Sequence, residues 1–254
     1  MISKQYVSQV RLRANDVPSF ERYPFSLPAV RHLDVLELHP KITFIVGENG
    51  SGKSTLMEAI AVSFGFNPEG GTKNFGFGTR ASHSELHEYI RLSKGVIRPQ
   101  DGFFLRAESF FNVATEIEKL DEGPGGPPII DSYGGKSLHE QSHGESFWSL
   151  VMHRFGGRGF YLLDEPEAAL SPQRQLALMS RIHELVNQHS QFVIATHSPI
   201  LMTYPDAYIY SCSEAGMRRV GYEETEHFQV MHDFVANPKR MLDILLDRTG
   251  GDRE

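Results

Sequence analysis

The stretch Gly-Glu-Asn-Gly-Ser-Gly-Lys-Ser-Thr at residues 47–55 constrains the fold of this chain more than any other part of it. It stands between the apolar run Ile42 to Val46 and a helix-like segment, Lys53 to Phe64. Gly47, Gly52, Lys53 and Ser54 thus meet the G-x-x-x-x-G-K-[ST] pattern in the strand, loop, helix context that it needs. The glycines let the backbone curl until successive N–H groups point at one anion, and the helix turns the positive end of its dipole to the same place. The candidate phosphate-binding residues are therefore Gly47, Glu48, Asn49, Gly50, Ser51, Gly52, Lys53, Ser54 and Thr55. In this reading Lys53 reaches the β- and γ-phosphates of a nucleotide and the Ser54 hydroxyl ligands Mg²⁺.

Two further runs have the same form, an apolar strand closed by polar groups. Gly159 to Pro166 ends in Asp164 and Glu165, as expected of a buried parallel strand whose acidic tip emerges at a ligand crevice. Asp164 is the candidate to help hold Mg²⁺ and Glu165 to polarise an attacking water. Gln191 to Ser198 ends in Thr196 and His197. Taken with the other two motifs, His197 is placed to sense a γ-phosphate.

With these motifs in hand the chain resembles the ABC-class ATPases. The resemblance rests on the phosphate loop, the carboxylate pair in LLDEPEAALS, the histidine in ATHS, and a signature-like Ser142-His143-Gly144-Glu145-Ser146. It runs from about residue 30 to 210. It implies an α/β P-loop fold with a mostly parallel central sheet flanked by helices and an N-terminal antiparallel β subdomain. It also implies two copies closing around two ATP molecules, with Ser142, Gly144 and Glu145 contacting the nucleotide of the other copy. Glu167 to Ser171 then corresponds to the loop that crosses between the copies.

Two features depart from the family pattern. The signature reads SHGES where transporters carry SGGQ, and it looks more like the forms in DNA-repair and chromosome-maintenance ATPases and in small stand-alone bacterial ATPases. No glutamine follows the family's third strand: Gln100 precedes the expected strand Gly102 to Ala107, and Glu108 ends it. Glu108 is therefore the candidate for the lid position and a third metal contact, with a solvated strand end as the alternative. About 30 residues separate Glu108 from the signature. They suffice for a helix, Phe110 to Leu120, and a Gly/Pro loop, but hold no heptads of a long coiled coil.

The chain has 254 residues, 40% of them hydrophobic, and is expected to form one ATPase domain over 1–254, with 66–141 as a variable insert and reduced helical lobe. Its net charge of −7 argues against a uniformly basic nucleic-acid binder, while leaving room for a local basic groove. The single Cys212 excludes an internal disulfide, and a reducing cytoplasm is the expected compartment. No run approaches the roughly 18 apolar residues of a membrane span, and Met1 to Arg13 lacks the apolar core of a signal peptide.

Tyr6 to Leu12 and Leu33 to Leu38 read as strands of the antiparallel sheet. Glu145 to Phe155 reads as a helix with Phe147, Trp148, Leu150, Val151 and Phe155 as its apolar positions, and Pro172 to His189 as a helix burying Leu176, Leu178, Met179, Ile182, Leu185 and Val186. Asp206 to Cys212 and Met217 to Gly221 read as a strand pair. Thr225 to Leu246 reads as one or two closing helices, with His227 and His232 on the surface. Tyr23 is a candidate to stack on adenine or a turn residue packed on the core. Phe75 and Phe77 are either a contact surface or pins for their loop.

The expected activity is hydrolysis of ATP with Mg²⁺, coupled through an ATP-dependent homodimer to DNA or to a nuclease or other effector partner. An ATP-binding transporter subunit and a nucleotide-gated binding module with little turnover are the alternatives. The short helical interval and SHGES weigh against the transporter.

Overall fold

The computed structural model describes residues 5–72, 84–107, 110–121 and 128–246. Its strands are β1 (Val7–Leu12), β2 (Val35–Glu37), β3 (Ile42–Gly47), β4 (Ile90–Lys94), β5 (Asp101–Arg106), β6 (Gly159–Asp164), β7 (Gln191–Ala195), β8 (Tyr208–Ser213) and β9 (Gly216–Val220). Its helices are α1 (Pro28–Arg31), α2 (Lys53–Phe64), α3 (Leu86–Tyr89), α4 (Phe110–Asp121), α5 (His143–His153), α6 (Pro172–Asn187), α7 (Glu226–Ala236) and α8 (Pro238–Leu245).

Six strands form the central sheet in the order β5-β6-β7-β3-β8-β9. All its pairings are parallel except the β8–β9 hairpin. Both faces are covered at its centre, so β3, β6 and β7 are buried along their whole length while their side chains alternate between two cores. On β6, Tyr161 and Leu163 join Phe44, Ile194 and the inner sides of α5 and α6, whereas Phe160 and Leu162 join Ile45, Val193 and α2. The second sheet, β2-β1-β4, is antiparallel and covers α2, which it traps against the central sheet. A helix walled in this way is apolar on most of its circumference, and Leu56, Met57, Ala59, Ile60, Ala61 and Phe64 are all buried. Gln191 bolts the two sheets together. Its Oε1 accepts from the N–H groups of Tyr6 and Val7 at 3.0 and 3.1 Å, and its Nε2 donates to the carbonyls of Val7 and His39 at 2.7 and 3.0 Å.

Several expectations need correction. The helix after the signature begins at His143 rather than Glu145, because Ser142 caps it and Glu145 reaches back from its third position. Phe155 lies beyond that helix, yet it is buried and stacks on Tyr161 at 4.4 Å. On α6 the buried stripe is Leu178, Ile182, Leu185 and Val186, and Leu176 is 52% exposed. Two residues along a helix amount to about 200° of rotation, which turns Leu176 away from the face of Leu178. The described residues do end with two helices, but α7 and α8 bury no residue and expose Val230, Met231, Val235, Ile244 and Leu245. Phe75, Phe77 and the Gly/Pro loop at 123–127 lie outside the described residues. No helix among the described residues is long and apolar enough to cross a membrane.

Candidate functional site

Parallel strands deliver their C-terminal ends to one edge of the sheet. Register places Asp164 beside both Ala195 and Arg106, and Ile45 beside Ala195, so the ends of β3, β5, β6 and β7 meet there.

The loop after β3 is shaped by its glycines. Gly47, Gly50 and Gly52 have φ of 145°, 79° and 94°. A Cβ on Gly47 would lie 2.5 Å from the carbonyl oxygen of Cys212 on β8, and one on Gly52 would lie 2.9 Å from Leu27 Cβ. Both approaches exclude side chains. The Ser51 carbonyl accepts from Ala29 N–H at 2.9 Å, which moors the loop to α1. Lys53 is buried; its ammonium donates to the carbonyls of Gly47 and Glu48, both at 2.8 Å, and so spans the loop from within. Burial lowers its pKa, opposed by Glu165 and Asp164. A cavity of about 160 Å³ opens on this loop, lined by Leu27, Asn49, Gly50, Gly52, Lys53, Ser54, Thr55 and Glu165. Backbone that a Cβ would obstruct, an enclosed ammonium and the N-terminus of α2 together fit a polyphosphate.

Ser54 Oγ donates to Asp164 Oδ1 at 3.1 Å, bringing a hydroxyl and a buried carboxylate to one point. An all-oxygen pair of this kind suits a hard cation such as Mg²⁺. The other carboxylate oxygen of Asp164 lies 3.7 Å from Arg106 Nε, and Arg106 Nη1 donates to Glu58 Oε2 at 2.9 Å. Glu58 and Arg106 thus frame Asp164 from behind, a role that neither residue announces by spacing. Glu108 lies outside the described residues.

Glu165 follows with a left-handed φ of 52°, which turns its side chain off the strand and onto the rim of the cavity. His197 Nε2 lies 3.5 Å from Glu165 Oε1; it is buried and has no nearer polar partner among the described residues. The His197 backbone N–H donates to Glu167 Oε1 and ties the end of β7 to the turn after Glu165. Burial raises the pKa of Glu167. Burial also lowers that of His197, assisted by Lys53 and opposed by Glu165. His227 corrects the expectation of a surface residue: half-buried at the start of α7, it places Nε2 3.0 Å from Nδ1 of His197. Burial lowers its pKa as well, opposed by Glu226 and assisted by Lys53. Two larger cavities, of about 630 and 640 Å³, border the loop at Glu48 and Asn49, and both reach Glu226 and His227.

The signature residues are gathered elsewhere. Ser142 and Glu145 close a capping box, with Glu145 Oε2 accepting from Ser142 Oγ at 2.6 Å and from Ser142 N at 3.0 Å. These hydrogen bonds hold the Glu145 carboxyl below its usual pKa. A Cβ on Gly144 would come within 2.8 Å of the Ala169 carbonyl, so the start of α5 lies against the turn that follows Glu165. Ser142, Gly144 and Glu145 line none of the three cavities at the loop. Nor does Tyr23, which is 62% exposed, while Phe25 beside it is the aromatic that packs inward.

An apolar strand, a glycine-shaped loop around a lysine and a serine meeting a strand-end aspartate are the parts of a P-loop nucleotide-binding fold. A family model described as "AAA domain" matches residues 19–121, and one described as "AAA domain, putative AbiEii toxin, Type IV TA system" matches residues 137–203. Over 175 residues the chain is 30% identical to a "putative ABC transporter ATP-binding protein" of Caldanaerobacter subterraneus subsp. tengcongensis, covering 61% of this chain and 68% of that one. Among solved structures it is similar to an ATP-binding cassette of an ABC transporter, with a TM-score of 0.53 and 15% identity over 93% of this chain and 98% of that one. That likeness establishes the fold. An SMC head domain from Thermotoga maritima, with a TM-score of 0.46 and 16% identity over 85% and 98% of the two chains, is too distant to add to it. The chain belongs to the ABC-class ATPases.

Proposed function

We propose that the protein binds ATP with Mg²⁺, hydrolyses the β–γ phosphate bond and does so as a dimer closed around two ATP molecules. The observation that carries this reading is the 3.1 Å contact of Ser54 with Asp164 on the Lys53 loop, with Glu165 and His197 3.5 Å apart beside it. Lys53 and the loop N–H groups bind and orient the phosphates. Ser54 and Asp164 would hold Mg²⁺, which when bound offsets phosphate charge; Glu108 is the remaining candidate for that role. Glu165 orients a water for in-line attack on the γ-phosphorus and takes its proton. The P–O bond to the bridging oxygen breaks, and ADP leaves with the electron pair. His197 holds the γ-phosphate. Positioning and charge stabilisation supply most of the catalysis in such a site.

In this reading Ser142, Gly144 and Glu145 serve the site of the second copy, which agrees with their absence from the linings of the loop cavities of their own chain. Residues 1–254 act as one ATPase domain, with 66–141 as its variable part. The cycle drives an effector or DNA partner; the likeness of residues 137–203 to a family described as an AAA domain of a putative toxin system supports an effector. A transporter subunit is the second reading, favoured by the name of the 30% identical relative.

Phosphate release and ATP calorimetry test the chemistry. Lys53→Ala is expected to lose ATP binding, and Glu165→Gln to bind ATP while hydrolysing it at least about 100-fold more slowly. Wild-type turnover by Glu165→Gln would overturn the role of Glu165. Anisotropy of a labelled duplex titrated with Glu165→Gln protein, with and without ATP and Mg²⁺ at two salt concentrations, tests the partner. Binding that needs ATP and weakens with salt supports DNA, and its absence with ATP bound points to a protein partner.

A further inference from the structure

The site holds a second histidine that the proposed reaction does not use. His227 comes from α7, some 30 residues beyond His197, yet its Nε2 is 3.0 Å from Nδ1 of His197. The rings lie 5.2 Å apart at 57°, a geometry for an in-plane hydrogen bond rather than stacking. The first turn of α7 is anchored for this contact. Thr225, fully buried, caps the helix by accepting from Phe228 N–H and donates to the Tyr222 carbonyl at 2.7 Å, and Phe228 packs on Tyr222 at 4.9 Å.

Two neutral imidazoles can place only one N–H between their facing nitrogens. If His197 supplied it from Nδ1, its bare Nε2 lone pair would face the Glu165 carboxylate at 3.5 Å. If His227 supplies it, the His197 proton sits on Nε2 and faces that carboxylate as a donor. The second arrangement replaces a lone-pair–anion repulsion with an attraction.

We infer that His227 is a positioning residue: it donates from Nε2 to Nδ1 of His197 and fixes His197 in the tautomer whose N–H points toward Glu165 and the reacting phosphate. The inference rests on the proposed role of His197. It also gives α7 a function, because α7 and α8, which bury none of their own residues, are joined to His197 by this contact. A shift of α7 removes the donor, and His197 loses its fixed tautomer.

Nitrogen NMR of ¹⁵N-histidine-labelled wild-type protein reads the tautomer directly, with the His197 signals assigned by their absence in His197→Gln. The expected result is protonated Nε2 and unprotonated Nδ1 on His197, changing to a tautomer mixture in His227→Phe. In phosphate release, His227→Phe is expected to lose about tenfold in kcat with KM for ATP nearly unchanged. His227→Gln, which keeps an N–H near the position of Nε2, is expected to recover most of that loss. A wild-type His197 protonated on Nδ1, or a tautomer unchanged in His227→Phe, overturns the inference, and the wild-type spectrum decides it even if the variant fails to fold. Wild-type turnover by His197→Ala would instead remove His197 from the reaction, a separate failure that leaves the tautomer measurement standing.

Discussion

At the scale of single residues, the site is built from backbone that tolerates no substitution and side chains held by unexpected neighbours. Gly47 is the clearest case, combining a φ of 145° with a virtual Cβ 2.5 Å from the Cys212 carbonyl. Gly47→Ala is expected to cost on the order of 3 kcal/mol through strain and overpacking, seen as a lower urea midpoint with unchanged slope. Within the loop, spacing alone carried the assignment, because a local motif repeats its geometry wherever strand, glycines and helix follow one another. Glu58, Arg106 and His227 were not legible in that way. Arg106 meets Glu58 across 48 positions and His197 meets His227 across 30, and a lone histidine on a helix carries no signal of what it will face.

At the scale of elements, the far end of the sheet from the nucleotide loop is closed by charge. Asp101, at the start of β5, pairs with Arg154 after α5 at 2.8 Å and accepts from the Tyr161 hydroxyl at 2.7 Å and from Gly156 N–H at 3.1 Å. Burial alone would raise the Asp101 pKa, but Tyr161, Arg154 and Gly156 together outweigh it and hold the carboxyl below its ordinary 3.8. A depressed carboxyl stabilises the fold above the unfolded pKa, and that contribution is lost as pH falls below about 4 toward the lower folded value. Asp101→Asn removes the negative charge that compensates the Arg154 guanidinium. It is expected to cost about 2–3 kcal/mol at neutral pH, less than a fully buried pair because both groups keep some exposure, and to flatten the acid limb of a stability-versus-pH curve measured by urea unfolding. The elements themselves were largely foreseen: α2 and β6 follow the apolar runs that predict them. The start of α5 was missed because a capping box draws the helix back to its capping serine, and Leu176 because a count of apolar residues ignores the angle at which each projects.

At the scale of the whole molecule, Ser142, Gly144 and Glu145 line none of the cavities at the loop of their own chain, as expected if each site is finished by a second copy. Glu165→Gln protein is predicted to double in mass by light scattering when ATP and Mg²⁺ are added, and to return to the single mass when Lys53→Ala is introduced as well. A single mass throughout, with ATP bound, would remove the sandwich dimer from the proposal. The sequence by itself determined the P-loop fold, its phosphate loop and the strand ends that carry Asp164, Glu165 and His197, because each is a local pattern of apolar run and polar tip. Only the tertiary structure decided which side chains stand behind them. Arg106 reaches Asp164 because β5 pairs with β6, and His227 reaches His197 because the first turn of α7 is anchored at Thr225 and Tyr222. Such contacts come from the order of strands and the path of the returning chain, which leave no local trace in the order of residues.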